Sequence, residues 1–230
     1  MSVVFPFFIL SIFSYSISCL YKIALARSYL ISSISIVLLL IFFGKFGLLY
    51  LTNEILKYLA VILLIYLIFK KKINTEYLKS FFLFLTIYLL LTFLCKDLFF
   101  YKYDEFSEYG ITSKLIFTEN DLPSNIDYLQ KGSHHKINFI SYFHYFFLKH
   151  SSQIFQENIA YVAHSFLIII LIFTSISFVN LNYVKKILVG ILFYFLIYTL
   201  GPGLDRLYVD SILGLFVAIT LLLFFKKEIT

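Results

Sequence analysis

The chain has 230 residues, of which 61% are hydrophobic and only 14% charged, with a mean hydropathy of +0.91. Soluble domains carry about 25% charged residues, so a water-soluble globule is excluded and an integral membrane protein is expected. The formal net charge of +6 lies in short clusters between apolar runs, a pattern that speaks for membrane topology and against a nucleic-acid partner.

The N-terminal run MSVVFPFFILSIFSYSISCL has no Lys or Arg ahead of it, and Lys22 and Arg27 follow it. That order suits an uncleaved helix with its N-terminus outside. At about 20 apolar residues per crossing, about seven spanning helices are expected, over 3–20, 29–47, 51–69, 80–98, 159–179, 187–202 and 207–225. The second contains Lys45, which has to snorkel. Cys19 and Cys95 lie in or at the end of apolar runs and read as small hydrophobes. With no Trp, the aromatic belts fall to Tyr and Phe.

The basic clusters set the orientation. Lys22 and Arg27, Lys70 to Lys72 with Lys79, Lys185 with Lys186, and Lys226 with Lys227 all fall on one side of a single alternation. By the positive-inside rule that side is cytoplasmic, which leaves 44–57, 99–158 and 201–207 outside and the C-terminus inside. The expected fold is therefore an all-α polytopic membrane bundle forming one domain over 1–230, with one large outer loop, 99–158.

In that loop, 99–136 is polar, with turn signals in ENDLPSN, and 137–150, INFISYFHYFFLKH, is apolar but too short to span. Asn138, Ser141 and His144 recur every three residues among Phe and Tyr. This spacing predicts a short interfacial or re-entrant helix. A further spanning helix here would put Lys185 and Lys186 outside.

Few residues can carry chemistry. YKYDEFSEYG places Asp104 and Glu105 directly after an apolar run, as a solvated loop or as a functional pair beside hydrocarbon. In GPGLDRLYVD, a tight turn precedes Asp205 and Arg206, and Asp210 follows within the last helix. Arg206 either pairs with Asp205 or offers its planar fork to a lipid phosphate. His134 and His135 are adjacent and lack a carboxylate at zinc spacing, so donation to a phosphate or sugar hydroxyl is the expectation, and no metal site. His164, beside Ser165, reads as a partner between helices.

The motifs YDEFSEYG, FHYFFL and DRLYVDSILGLFVA, in this order, resemble the bacterial multi-pass proteins with a Trp-Asp-Glu-Phe-Ser-His-Trp-Gly type motif, which are grouped by architecture with the GT-C superfamily of glycosyltransferases. The likeness covers about 100–225. Tyr103, Glu108 and Tyr109 stand where the family often has Trp, His and Trp. The resemblance implies an inverting enzyme of the bacterial inner membrane, moving a sugar from a polyprenyl-phosphate donor in the outer leaflet to an acceptor hydroxyl. Asp104 would be the base, and Glu105 would assist it or hold a divalent ion. Arg206, with a loop His or Lys, would hold the phosphate, and Asp205, His134, His135 and Asp210 would belong to the same substrate-binding site. Relatives continue with several more helices, which keeps open a fragment or one half of a two-chain assembly. The other class of reading is a non-catalytic accessory subunit or a transporter; a transporter calls for ionisable groups near mid-membrane.

The orientation is testable with Ser107→Cys and Lys71→Cys in a chain carrying Cys19→Ser and Cys95→Ser. In intact cells an impermeant thiol reagent is expected to label position 107 and not 71, and the reverse pattern contradicts the charge reading.

Overall fold

The computed structural model describes residues 3–70, 75–100, 109–123, 139–200, 207 and 210–228, and among these it contains helices and no strand. The helices are α1 (Phe5–Tyr21), α2 (Leu25–Gly44), α3 (Leu49–Phe69), α4 (Thr75–Leu94), α5 (Tyr109–Glu119), α6 (Phe139–Ser151), α7 (Glu157–Ile176), α8 (Tyr183–Leu200) and α9 (Asp210–Glu228).

Four of them, α2, α3, α4 from Tyr77 and α7, are long and apolar enough to cross a membrane, against the seven expected. Helix α1 has 17 residues, and among the residues of α9 whose side chains are described the apolar stretch is Ile212–Leu223. Large apolar side chains such as Leu38, Phe42, Ile55, Ile62, Phe93, Ile191 and Phe195 are exposed along the outward faces. A protein in water rarely exposes so continuous an apolar surface, so the bundle is compatible with a membrane protein.

Local sequence explains the helix ends. Pro6 fits the first turn of α1, where its missing N–H costs nothing. Lys22 then ends the helix in a left-handed conformation (φ 52°). The serines of α1 satisfy themselves inside an apolar helix: Ser11, Ser14 and Ser16 donate to the carbonyls of Phe7, Leu10 and Ile12. Being small, they also let α2 approach closely, and Ser11 Oγ lies 2.6 Å from Tyr29 Oη. Lys45 does not interrupt α2. The helix starts four residues earlier than expected and closes at Gly44, leaving Lys45 exposed in a turn that Gly47 (φ +70°) completes. Asn182 Oδ1 accepts from the Lys185 N–H and caps α8.

The hub is α7, whose spanning window is 89% buried against 17% for α4. Helices α2, α4, α5, α6, α8 and α9 all pack on it. The two ends of the bundle are pinned differently. At one end Arg27 Nε donates to Ser177 Oγ and Nη2 to Ser177 O, both at 2.7 Å, with the guanidinium 3.9 Å from the Phe178 ring centre. There too Thr174 Oγ1 donates to Ala26 O and Tyr183 Oη to Lys79 O. Lys22, Arg27, Lys79, Lys185 and Lys186, which flank or open α1, α2, α4 and α8, lie toward this Arg27 end, whereas Lys45 and Lys96 follow the opposite ends of α2 and α4. At the other end the close of α4 meets the start of α7.

The region 99–136, read as polar loop, contains α5, which covers α6 and α7 through buried Thr112, Ser113, Ile116 and Phe117. Helix α6 is also not laid on a surface. From Ile140 to Leu148 every residue is buried, against α1, α2, α5 and α7.

Replacing Arg27 removes a fork that a lysine cannot reproduce. Arg27→Ala is expected to cost about 1.5–3 kcal/mol, with Arg27→Lys recovering little, as measured by unfolding in mixed micelles. Full recovery by Lys contradicts the two-pronged contact.

Candidate functional site

The Glu157 end is built by three contacts from α7 to the chain leaving α4. The Phe100 N–H donates to Glu157 Oε2 at 2.6 Å, Tyr161 Oη to Phe99 O at 3.1 Å, and Asn158 Nδ2 to Lys96 O at 3.4 Å. The Phe100 ring packs edge-on against Phe155 and Tyr161. These contacts border an open cleft of about 690 Å³, walled by Lys96, Asp97, Lys114, Gln156, Glu157 and Asn158. Lys114 Nζ lies 5.9 Å from the Phe155 ring centre, and Lys96 pairs only loosely with its neighbour Asp97, at 3.7 Å. Exposed pairs of that kind contribute little to stability, so both ammonium groups remain available to an anion.

Helix α6 inserts beside the first turns of α7. Ser113 Oγ of α5 lies 3.0 Å from His144 Nδ1, and the His144 ring centre is 5.7 Å from that of His164 on α7. On another side of α6, His150 packs edge-on against Phe146 and Phe5. Buried polar atoms without a hydrogen-bond partner in the protein concentrate on this helix: Ser141 Oγ, Tyr142 Oη, His144 Nε2, His150 Nε2 and Ser151 Oγ. Asn53 of α3 is buried with both side-chain polar atoms in the same condition. Buried polar groups are normally paired, so this concentration marks α6 as the interior surface most suited to a polar ligand.

Burial, and then the neighbouring His164, hold His144 well below the ordinary histidine range. Burial, and then Lys57, push His150 down to about 3. Both rings are neutral at neutral pH, able to donate from one nitrogen and accept at the other.

Of the residues expected from sequence to form the site, Asp104, Glu105, His134, His135, Asp205 and Arg206 lie outside the described residues. Asp210 is the first residue of α9 and is exposed. Helix α8 leaves the Arg27 end and passes α7 at Gly190, where a Cβ would meet the Phe173 ring at 2.8 Å. Its 18 residues rise about 27 Å, so α9 starts toward the Glu157 end. Its Phe216 meets Phe139 at the start of α6. The chain entering 101–108 and the helix leaving 201–209 therefore belong to one end of the bundle. Sequence reasoning missed Lys96, Lys114, Ser113 and His150, of which only the lysines carried a local signal, as isolated cations beside an apolar run.

Among the described residues no group of three or more His, Cys, Asp or Glu is placed to hold a metal ion. No family model matches the chain, and the comparisons with curated proteins and with solved structures also find no match.

The buried histidines make stability depend on pH. In the unfolded chain a histidine takes a proton near pH 6.5, whereas folded His150 does so only near 3. The unfolded state binds more protons across that window, so stability is complete above about pH 6.5 and declines as pH falls toward about 3. The melting temperature in detergent is expected to drop more steeply for the natural chain than for His150→Phe over this range. Parallel curves contradict the assignment.

Proposed function

We propose that the chain is a GT-C-like glycosyltransferase, moving a sugar from a polyprenyl-phosphate donor to an acceptor hydroxyl at the outer face of a bacterial inner membrane. The supporting observation is the cleft at the Glu157 end, with Lys96 and Lys114 on its walls. It adjoins Phe100, the last described residue before the segment bearing Asp104 and Glu105. Asp104 is four positions after Phe100 and Glu105 four before Tyr109, a chain reach of about 14 Å on either side. In this reading α1, α8 and α9 complete seven spans, and the Glu157 end faces outward.

The chemistry follows from these groups. Asp104 takes the proton of the acceptor hydroxyl as its oxygen attacks the anomeric carbon. The bond from that carbon to the phosphate oxygen breaks with inversion. Lys114, Lys96 and Arg206 receive the phosphate's growing charge at the headgroup plane. Glu105 orients the acceptor or holds a divalent ion. His134, His135, Asp205 and Asp210 contribute hydrogen bonds to sugar hydroxyls and to Arg206.

A second reading, a transporter, is favoured by one observation, the neighbouring rings of His144 and His164 inside the bundle.

The test is transfer of a radiolabelled sugar from polyprenyl phosphate by the purified chain in bilayers. Asp104→Asn is expected to lower turnover at least about 100-fold, with expression unchanged. Lys114→Ala is expected to lower kcat about tenfold as well as to raise the donor KM. Failure of the natural chain to transfer, or full turnover by Asp104→Asn, contradicts the proposal. Proton flux in proteoliposomes that His144→Gln removes supports the transporter instead.

A further inference from the structure

A second concavity lies toward the Arg27 end, away from the proposed transfer site and independent of it. Helices α3 and α4 are consecutive in the chain, yet each packs chiefly elsewhere, and both lean on α1. Between them opens a groove of about 290 Å³. Its floor is the α1 stripe Phe8, Ser11, Ile12 and Tyr15, spaced as one face of a helix. Its walls are formed by residues such as Leu64 and Ile68 of α3 and Leu78 and Phe81 of α4. The Ser11 hydroxyl on the floor is already engaged with Phe7 O and Tyr29 Oη. The groove therefore offers hydrocarbon, with aromatic edges where Tyr15 meets Tyr77 at 5.3 Å.

Charge at its end is one-sided. Exposed Lys70 caps α3 two residues past Ile68, exposed Lys79 follows Leu78, and exposed Lys22 caps α1. From the end of α3 through the first turns of α4 the sequence carries Lys70, Lys71, Lys72 and Lys79 against Glu76 alone. An apolar slot with three helical sides, opening beside a basic rim, fits a molecule with one hydrocarbon chain to bury and a negative head to leave at the surface.

We propose that the groove between α3 and α4 is a specific site for an anionic phospholipid, one acyl chain lying along α1 and the phosphate beside Lys70 and Lys79. A lipid so held fills the gap between two helices that do not fill it themselves, fastening α3 and α4 to the bundle.

The test is native mass spectrometry of the full chain, purified in detergent and exposed to phosphatidylglycerol or to phosphatidylcholine with the same acyl chains. One phosphatidylglycerol is expected per chain. Leu64→Trp and Leu78→Trp, which fill the groove, are expected to lower its occupancy about tenfold. Lys70→Gln with Lys79→Gln is expected to lower it about fivefold per lysine. Ile62→Trp, on the exposed α3 surface outside the groove, is expected to leave it unchanged. Equal retention of phosphatidylcholine overturns the proposal. So does unchanged binding by Leu64→Trp, or self-crosslinking of Leu64→Cys that seats a second copy of the chain in the groove.

Discussion

A helix apolar on every face has no side to give to water, and α7 is such a helix. From Ile159 to Thr174 every residue is buried. In a bilayer lipid could cover such a helix, but here other helices do so, and each packed face fixes one of them. Phe166 is the meeting point of the aromatic core, touching the rings of Phe7, Tyr29, Phe84, Tyr88 and Phe147, which belong to α1, α2, α4 and α6. Without α7, α4 loses its principal support, and α8 and α9 lose the helix they lean on.

What α7 admits at its N-terminal half gives the molecule its functional character. A short helix carrying two histidines, two serines and a tyrosine with unpaired polar atoms is placed there, where more Leu and Phe would have packed at lower cost. Each such atom costs about 1–3 kcal/mol if left dry, and five of them together rival the whole stability of a typical domain. This polar interior lies beside the end where the lysine-walled cleft opens and where the acidic motif segment departs from Phe100. One region thus combines two lysines at an open cleft with buried polar atoms beside it.

The apolar helices were legible in the sequence because hydrophobic length is a one-dimensional property, although only four of the seven expected spans are long and apolar enough among the described residues. Their ends were less so: Lys45 read as an interruption of α2 because the helix begins at Leu25, beside Arg27, inside what looked like a polar turn. Helix α5 was hidden because Thr112 and Ser113 supply half its buried face, and a hydropathy count scores them as loop. The helix at 139–151 was foreseen, together with its polar stripe, but its surroundings were not. Amphipathic spacing says that one face is polar; whether that face meets headgroups or Ser113 and His164 depends on tertiary packing. Of the site residues expected from sequence, Asp210 alone falls among the described residues. The contribution of Lys96 and Lys114 depends on α4, α5 and α7 converging, which no local pattern encodes.

The central claim is that α6 is embedded in the bundle without crossing the membrane, so that both its ends lie on the Glu157 side. Single cysteines at Ser133 and Ser152, before and after the helix, test this directly in a chain carrying Cys19→Ser and Cys95→Ser. Both are expected to react with a membrane-impermeant thiol reagent from the same side of sealed vesicles. Reaction from opposite sides would make α6 a spanning helix, reverse the orientation of α7, α8 and α9, and contradict the account.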